Sequence, residues 1–240
     1  MHIPRWQAWT RTSGTARSSQ VSDTSTISEA SIGRLPLYLR ALAEMLDQGI
    51  TTASSETLAA ATGVQSSLVR RDLAQFGSYG TRGVGYSVTS LQDELSRIVG
   101  ATRTWRVAVV GAGNLGQALV RHSGLSAETF TVVAVVDVSD EVVGTEINGI
   151  TVTHQRDLTA TVAEAGVELA IIATPAAAAQ DVADALIAAG VMSLLNMAPT
   201  TLHVPEGVNV RSVDFTQELQ ILSYHEARRD LMGAHARDGN

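Results

Sequence analysis

The chain contains no cysteine. Disulfides, thiolate metal sites and a cysteine nucleophile are excluded together, so any response to redox conditions must pass through a bound cofactor rather than a thiol. Lysine is absent as well. Every basic side chain is an arginine, which suits bidentate contacts to phosphate and guanine, although a genomic codon bias produces the same composition. No stretch approaches the about 20 apolar residues that span a bilayer, and the first residues lack the apolar centre of a secretory signal. These absences lead to the expectation of a soluble, cytoplasmic protein with no membrane partner. What is present is apolar material: 45% of the 240 residues are hydrophobic, enough for one or two domains with cores of their own.

The formal net charge of −7 runs against a nucleic-acid partner, because affinity for DNA depends on neutralising phosphates. Its distribution softens that objection. Met1 to Gly100 hold nine Arg against eight Asp plus Glu, whereas Ala101 to Asn240 hold eight Arg against sixteen acids. The acidity belongs to the second part of the chain.

Met1 to Ser28 are rich in Ser, Thr and Arg without helical or strand period, which reads as a disordered extension over 1–28. From Ile32 the pattern changes. Leu35, Leu39, Leu42, Ala43 and Leu46 recur at helical spacing up to Gly49. Ser54 and Ser55 cap a short second helix, and Thr62-Gly63-Val64 turns tightly into a third. In that third helix Val69, Leu73 and Phe76 share one face, which turns Ser66, Ser67, Arg70 and Arg71 outward. An exposed Arg pair is ordinarily a solvated face. Here it lies on the second helix of a tight turn pair, the element shaped to enter a major groove, beside small hydroxyls that permit close approach. Gly77 to Tyr86, with four glycines, reads as a β-hairpin wing whose Arg82 reaches a phosphate or the minor groove. Residues 29–100, closed by a capped helix from Ser90 to Val99, are therefore expected to form a winged helix-turn-helix domain.

Strand character begins at Arg106. The apolar run Val107-Ala108-Val109-Val110 leads into Gly111-Ala112-Gly113-Asn114-Leu115-Gly116 and a helix from Gln117. In such a strand, glycine turn and helix, the first glycine permits the turn, the second lets a pyrophosphate approach the backbone, and the third lets helix and strand pack closely. A lone motif of this kind is weak. A second apolar strand, Thr131 to Val136, ends in Asp137, twenty-one residues past Gly116, where a ribose-binding carboxylate belongs. An acid there accepts ribose hydroxyls and repels a 2′-phosphate, favouring NAD over NADP. FAD or coenzyme A remains an alternative ligand for the same fold. Leu169 to Ala173, Thr174-Pro175, a helix over Ala176 to Ala189 and a strand around Leu194 continue the alternation, which predicts a parallel Rossmann-type sheet over 101–214. Asn196-Met197-Ala198-Pro199 follows the last of these at its carboxyl end, placed to flank a nicotinamide. After a strand over Val208 to Val213 and Asp214, residues Phe215, Leu219, Ile221, Leu222 and Tyr224 make a helix apolar over a wide arc, which docks on its own sheet or inserts into a partner subunit.

Several ordered runs resemble the redox-sensing transcriptional repressor family Rex: Arg34 to Arg40, Val69 to Leu73, Tyr79 to Tyr86, Gly111 to Gly116, Asn196 to Pro199 and Val213-Asp214. The resemblance covers Ile32 to Tyr224. It implies a homodimer with C-terminal helices, here within 215–240, exchanged between subunits, palindromic double-stranded operator DNA as partner, and NADH and NAD+ as ligands, with NADH releasing the DNA. By position it assigns DNA contacts to Arg70, Arg71 and Arg82, and cofactor contacts to Gly111, Gly113, Gly116 and Asp137. It assigns Arg40 and Asp214 to a switch whose third member, a tyrosine in the family, is His122 here. A protonated His122 pairing with Asp214 would make release sensitive to pH as well. Met197 also departs from the family's usual aromatic, which softens packing against the nicotinamide.

Glycine motifs of this kind are commonest in dehydrogenases, so an NAD-dependent oxidoreductase is the rival reading. Only residues 215–240 remain beyond the sheet, too few for a substrate domain, and no His or Lys sits in a motif beside a partner carboxylate. His122, His154, His203 and His225 show no metal-ligand spacing. The chain is read as a regulator without enzymatic activity. The third reading is a DNA-binding protein whose Rossmann domain is only a scaffold or binds a different nucleotide-like ligand.

Overall fold

The structure, a computed structural model, describes residues 27–77, 80–81, 83–122 and 129–237, with side chains as far as Arg229. The chain divides into two compact units, Met1–Gly100 and Ala101–Asn240.

In the first unit α1 (Glu29–Asp47) precedes β1 (Thr52–Ala53), α2 (Ser55–Thr62), α3 (Ser66–Phe76), β2 (Gly80–Thr81), β3 (Gly85–Ser87) and α4 (Val88–Ile98). The short strands form an antiparallel sheet in the order β1-β3-β2. Ser28 is the N-cap of α1: its hydroxyl accepts the Ser31 N–H at 3.1 Å. Pro36 lies inside α1 on its exposed side, where water can take up the carbonyl that proline leaves unbonded. Ser54 caps α2 in a reciprocal pair with Thr57, and Gly63, at φ 70°, turns the chain into α3. Ser87 caps α4, which begins at Val88, two residues before the expected start: a hydroxyl between a strand and an apolar stripe serves both as strand end and as cap. Leu35, Tyr38 and Leu42 of α1 pack with Leu58, Val69, Leu73, Leu91 and Leu95 into one core.

That core contains a charge. Asp72 of α3 is fully buried and accepts from Arg34 Nε (2.6 Å) and Nη2 (2.7 Å), Tyr38 Oη (2.6 Å) and Ser31 Oγ (3.0 Å). Burial by itself would raise the carboxyl pKa, but the hydrogen bonds from Arg34, Tyr38 and Ser31 outweigh it and hold Asp72 below the usual aspartate range. Burial, reinforced by the neighbouring Asp72, raises the Tyr38 phenol. The three donors all belong to α1, so this cluster sets the attitude of α3 against α1.

The second unit runs β4 (Trp105–Val110), α5 (Asn114–Arg121), β5 (Phe130–Asp137), β6 (Glu146–Ile147), β7 (Ile150–His154), α6 (Leu158–Glu164), β8 (Leu169–Ile172), α7 (Ala176–Ala188), β9 (Ser193–Asn196), β10 (Asn209–Ser212) and α8 (Phe215–Arg237). The sheet order is β10-β9-β8-β4-β5-β7-β6, and every pairing is parallel except β6 with β7. Counted from β4 this is the doubly wound dinucleotide order, with β6 added as an antiparallel edge. Strands β6 and β7 and helix α6 were not foreseen, because β6 is only two residues long and β7 is a five-residue run in which Thr151, Thr153 and His154 dilute the apolar signal.

Side chains alternate across the sheet. Ala108, Val110, Ala170, Ile172 and Leu194 pack with α6 and α7. Val107, Val109, Val135 and Ile171 face the other way, with Val120 of α5. On that second face Leu169, Leu195 and Met197 are only half-buried. Helix α8 does not cover them: Phe215 through Arg229 are all exposed, with Phe215 at 60%, Leu219 at 62%, Leu222 at 63% and Tyr224 at 61%. Docking on the unit's own sheet, one of the two readings of this helix, is not what the chain does.

The Asp72 cluster generates a stability test. Asp72→Ala strands Arg34 and removes the acceptor of two further buried donors, which costs the first unit about 3–5 kcal/mol; hydrogen exchange in α1 and α3 of the full chain should accelerate accordingly. Since the folded pKa of Asp72 is depressed, its stabilisation is complete above the ordinary value of about 3.9 and is lost as pH falls through the folded value. The acid limb of unfolding should therefore be shallower in Asp72→Asn than in the parent chain.

Candidate functional site

The glycine turn sits at the carboxyl end of β4, between β8 and β5. Its three glycines are required for three different reasons. Gly111 has φ +102°, and a Cβ there would lie 2.5 Å from the Ala173 carbonyl oxygen, so the turn rests against the end of β8. A Cβ on Gly116 would overlap the Gly111 carbonyl oxygen, which makes the first turn of α5 pack directly on the strand. Gly113 has an ordinary φ of −69° and open space where a Cβ would stand. Neither backbone strain nor packing demands a glycine at Gly113, which leaves close approach of a ligand as the physical reason for it. As the N-cap of α5 it offers no side-chain hydrogen bond, so the first amides of α5, at the positive end of the helix dipole, are left without a side-chain acceptor from the cap.

Asp137 ends β5 beside this turn. Its Oδ2 accepts the Ala112 N–H at 2.5 Å and its Oδ1 the Ser139 N–H at 2.8 Å. The carboxylate therefore holds the glycine turn in shape and keeps a spare lone pair on each oxygen for hydroxyl donors. Across the switch point, Thr174 follows β8, and its Oγ1 is buried without a hydrogen-bond partner among the described residues. Pro175 then caps α7. A buried hydroxyl with no partner among the described residues, at the carboxyl end of a parallel strand whose backbone abuts Gly111, fits a site completed by a polar ligand.

Asn196 is fully buried at the end of β9, and both ends of its amide are used: Nδ2 donates to the Thr200 carbonyl at 2.7 Å and Oδ1 accepts the Ala198 N–H at 3.0 Å. The Met197 N–H donates to the Ile172 carbonyl at 2.9 Å. The segment Asn196 to Pro199 is thus a braced loop beside β8. Asn196 shapes it from within, and Met197, half-buried, and Pro199, exposed, supply its surface.

In the first unit Ser67, Arg70 and Arg71 are exposed on α3 and Ser66 is half-exposed. Gln65 caps α3 without a side-chain hydrogen bond. Arg70 Nη1 donates to Glu56 Oε1 of α2 at 2.7 Å. The Glu56 carboxyl is held below its usual range by its own backbone N–H, by Arg70 and by the Ser54 hydroxyl. Among the described residues Arg71 makes no side-chain hydrogen bond or ion pair. The wing closes by the pairs Gly80 with Tyr86 and Thr81 with Gly85, and a Cβ on Gly85 would meet the Ala53 carbonyl oxygen at 2.6 Å. Arg82 lies outside the described residues.

Of the expected switch residues, Arg40 is exposed on α1 and His122 is exposed at the end of α5. Asp214 caps α8, its Oδ1 accepting from Thr216 N–H at 2.8 Å. Among the described residues no hydrogen bond or ion pair joins His122 to Asp214 within the chain. Sequence reasoning missed Asp72, Arg34 and Tyr38 as the residues that position α3, and Glu56 as the partner of Arg70. The only local signal was Asp72 falling between Val69 and Leu73, on the apolar side of its helix.

A winged helix that presents two arginines, in one chain with a doubly wound sheet whose glycine turn abuts the strand that ends at the buried Thr174 hydroxyl, defines a dinucleotide-linked DNA-binding regulator. Residues 102–200 match the family model "CoA binding domain" and residues 26–74 the model "Putative DNA-binding protein N-terminus". The redox-sensing transcriptional repressor Rex of Streptomyces griseus subsp. griseus is 51% identical over 203 residues, covering 85% of this chain and 80% of that protein. The crystal structure of RSP, a Rex-family repressor, in complex with β-NAD+ and operator DNA superposes with a TM-score of 0.82 at 31% identity, over 89% of this chain and 99% of that one. RSP in complex with β-NADH gives 0.78 at 31% identity, over 87% and 98%. The chain belongs to the family of the redox-sensing transcriptional repressor Rex.

The three glycines should part company experimentally. Gly111→Ala and Gly116→Ala meet backbone atoms and should destabilise the second unit by about 1–3 kcal/mol each, read as lowered melting temperatures. Gly113→Ala should melt like the parent and lose NADH affinity at least about tenfold, read by nicotinamide fluorescence.

Proposed function

We propose that this chain is a cytoplasmic repressor that binds a palindromic operator as a homodimer and leaves it when NADH occupies the second unit, and that it has no enzymatic activity. The observation that carries the reading is a DNA-shaped unit and a dinucleotide cradle in one chain at 51% identity to a named redox-sensing repressor. The arrangement of α2, α3 and the β2–β3 wing supports insertion of α3 into the major groove, with Ser66, Ser67, Arg70 and Arg71 toward the DNA and Arg82 on the wing.

The residues around the switch point fit a dinucleotide. Gly111 to Gly116 with the first amides of α5 would hold the pyrophosphate, Asp137 the adenosine ribose, and Thr174, Pro175 and the loop Asn196-Met197-Ala198-Pro199 the nicotinamide half. The oxidised nicotinamide ring is a cation and the reduced ring is neutral, and this difference is what the second unit has to discriminate. The Met197 thioether offers a polarizable, adaptable wall where the family has an aromatic. A hundredfold loss of operator affinity requires the reduced ligand to favour the released arrangement by about 2.7 kcal/mol, and by reciprocity operator DNA weakens NADH binding by the same factor.

Helix α8 supports the dimer. Its apolar residues are exposed while the sheet face bearing Leu195 and Met197 is incompletely covered, so each chain offers what a second copy can bury. The exchange of α8, with Arg40, His122 and Asp214 changing partners as the subunits reorient, is the route we assign to the signal. A His122 imidazolium in place of a phenol would bring pH into that exchange.

The deciding experiment is a gel shift on a palindromic duplex selected from a random pool by the chain itself. NADH should release the duplex and NAD+ should not; equal behaviour of the two, or release by coenzyme A alone, would overturn the reading. Asp137→Asn should weaken NADH about tenfold and narrow its advantage over NADPH, because the charge opposing a 2′-phosphate is gone. Leu219→Asp with Leu222→Asp should sediment as a monomer and lose cooperative binding to the duplex.

A further inference from the structure

The two arginines of α3 are adjacent in sequence and differ in surroundings. Arg71 is exposed and makes no side-chain hydrogen bond or ion pair among the described residues, whereas Arg70 donates through Nη1 to Glu56 at 2.7 Å. Both members of that pair are open to solvent, with 53% of the Arg70 and 67% of the Glu56 side chain exposed. An ion pair so exposed contributes little to stability. It also places a carboxylate on the surface that would meet a polyanion: Glu56 and Arg70 line a groove of about 510 Å³ together with Thr81, Gly83 and Tyr86 of the wing.

We infer that Glu56 is a specificity-determining residue, one that commits Arg70 to reading a base edge and leaves phosphate contact to Arg71. The inference rests on the DNA-binding reading above. Paired with Glu56, Arg70 adds no net charge to the groove, so it contributes little to sequence-independent attraction for phosphates. Only Nη1 is engaged, and the remaining edge of the guanidinium still offers the parallel donors that match O6 and N7 of a guanine. The carboxylate itself is repelled by any phosphate that enters the groove. Glu56 thereby lowers affinity for wrong sequences more than for the right one, which is how discrimination is raised by a repulsive element.

The test compares two duplexes by fluorescence anisotropy across a salt series: the palindrome enriched by the full chain from a random pool, and a scrambled duplex of the same composition. Glu56→Gln keeps an oxygen acceptor for Arg70 and removes the charge. Its binding to the scrambled duplex should rise about tenfold and its salt slope there steepen by about one, while the ratio of palindrome to scrambled affinity falls about fivefold. Arg71→Ala should weaken both duplexes alike. In an Arg70→Ala background, Glu56→Gln should leave the ratio unchanged, since the arginine it acts through is gone. A ratio unaltered by Glu56→Gln in the parent, or lowered equally with and without Arg70, would overturn the inference while leaving the repressor reading intact. Failure of the full chain to enrich any duplex would overturn both.

Discussion

Asp72 has no contact with solvent, and a carboxylate in that position survives only because Arg34, Tyr38 and Ser31 spend their donors on it. Replacing such a cluster with apolar side chains need not weaken a fold, so stability alone does not explain it. Its geometry does. An apolar core lets a helix slide or rotate at small cost, whereas a bidentate guanidinium with a phenol and a hydroxyl on the same carboxylate admits one register and one rotation. The outward face of α3 carries Ser67, Arg70 and Arg71 because the inward face is pinned at Asp72. What the first unit can offer to DNA is decided by a contact that DNA never touches.

The second unit is built on a different constraint, close approach of main chain to main chain. Gly111 lies against Ala173, Gly116 against Gly111, and the Asp137 carboxylate ties the Ala112 amide to the end of β5. These contacts bring the ends of β4, β5 and β8 together and leave open space beside Gly113. Thr174, its hydroxyl unsatisfied among the described residues, and the braced loop after Asn196 lie at the ends of the next strands. Rigidity around an empty place is what a binding site for a large, flexible dinucleotide needs, because ordering of the protein then takes little from the affinity.

Much of this was legible from the residues alone, and what was hidden has physical reasons. The glycine turn and the run Val107 to Val110 announce themselves because the spacing of the glycines and the unbroken apolar run are both local in sequence. The wing was visible in its glycines. The Asp72 cluster was not, since its partners lie 34 to 41 residues away and an acid in an amphipathic helix ordinarily marks the solvent side. Glu56 was missed for the same reason: its pairing with Arg70, 14 residues on, depends on the angle between α2 and α3. Strand β7 alternates, Ile150-Thr151-Val152-Thr153, but over a run too short to stand out from the polar loop around it. The apolar arc of α8 was read correctly as a pattern, but periodicity reports which residues want burial and is silent on which surface supplies it.

Among the described residues nothing requires position 113 to be glycine: its backbone angle is ordinary and the space where a Cβ would stand is free. Selection for folding therefore exerts little pressure for glycine there, and under the proposed function the response to a dinucleotide would supply it. Drift at that position would yield chains that express well, resist heat and occupy their sites on the chromosome, yet stay deaf to metabolic state. A genetic screen scoring yield or solubility would pass every one of them.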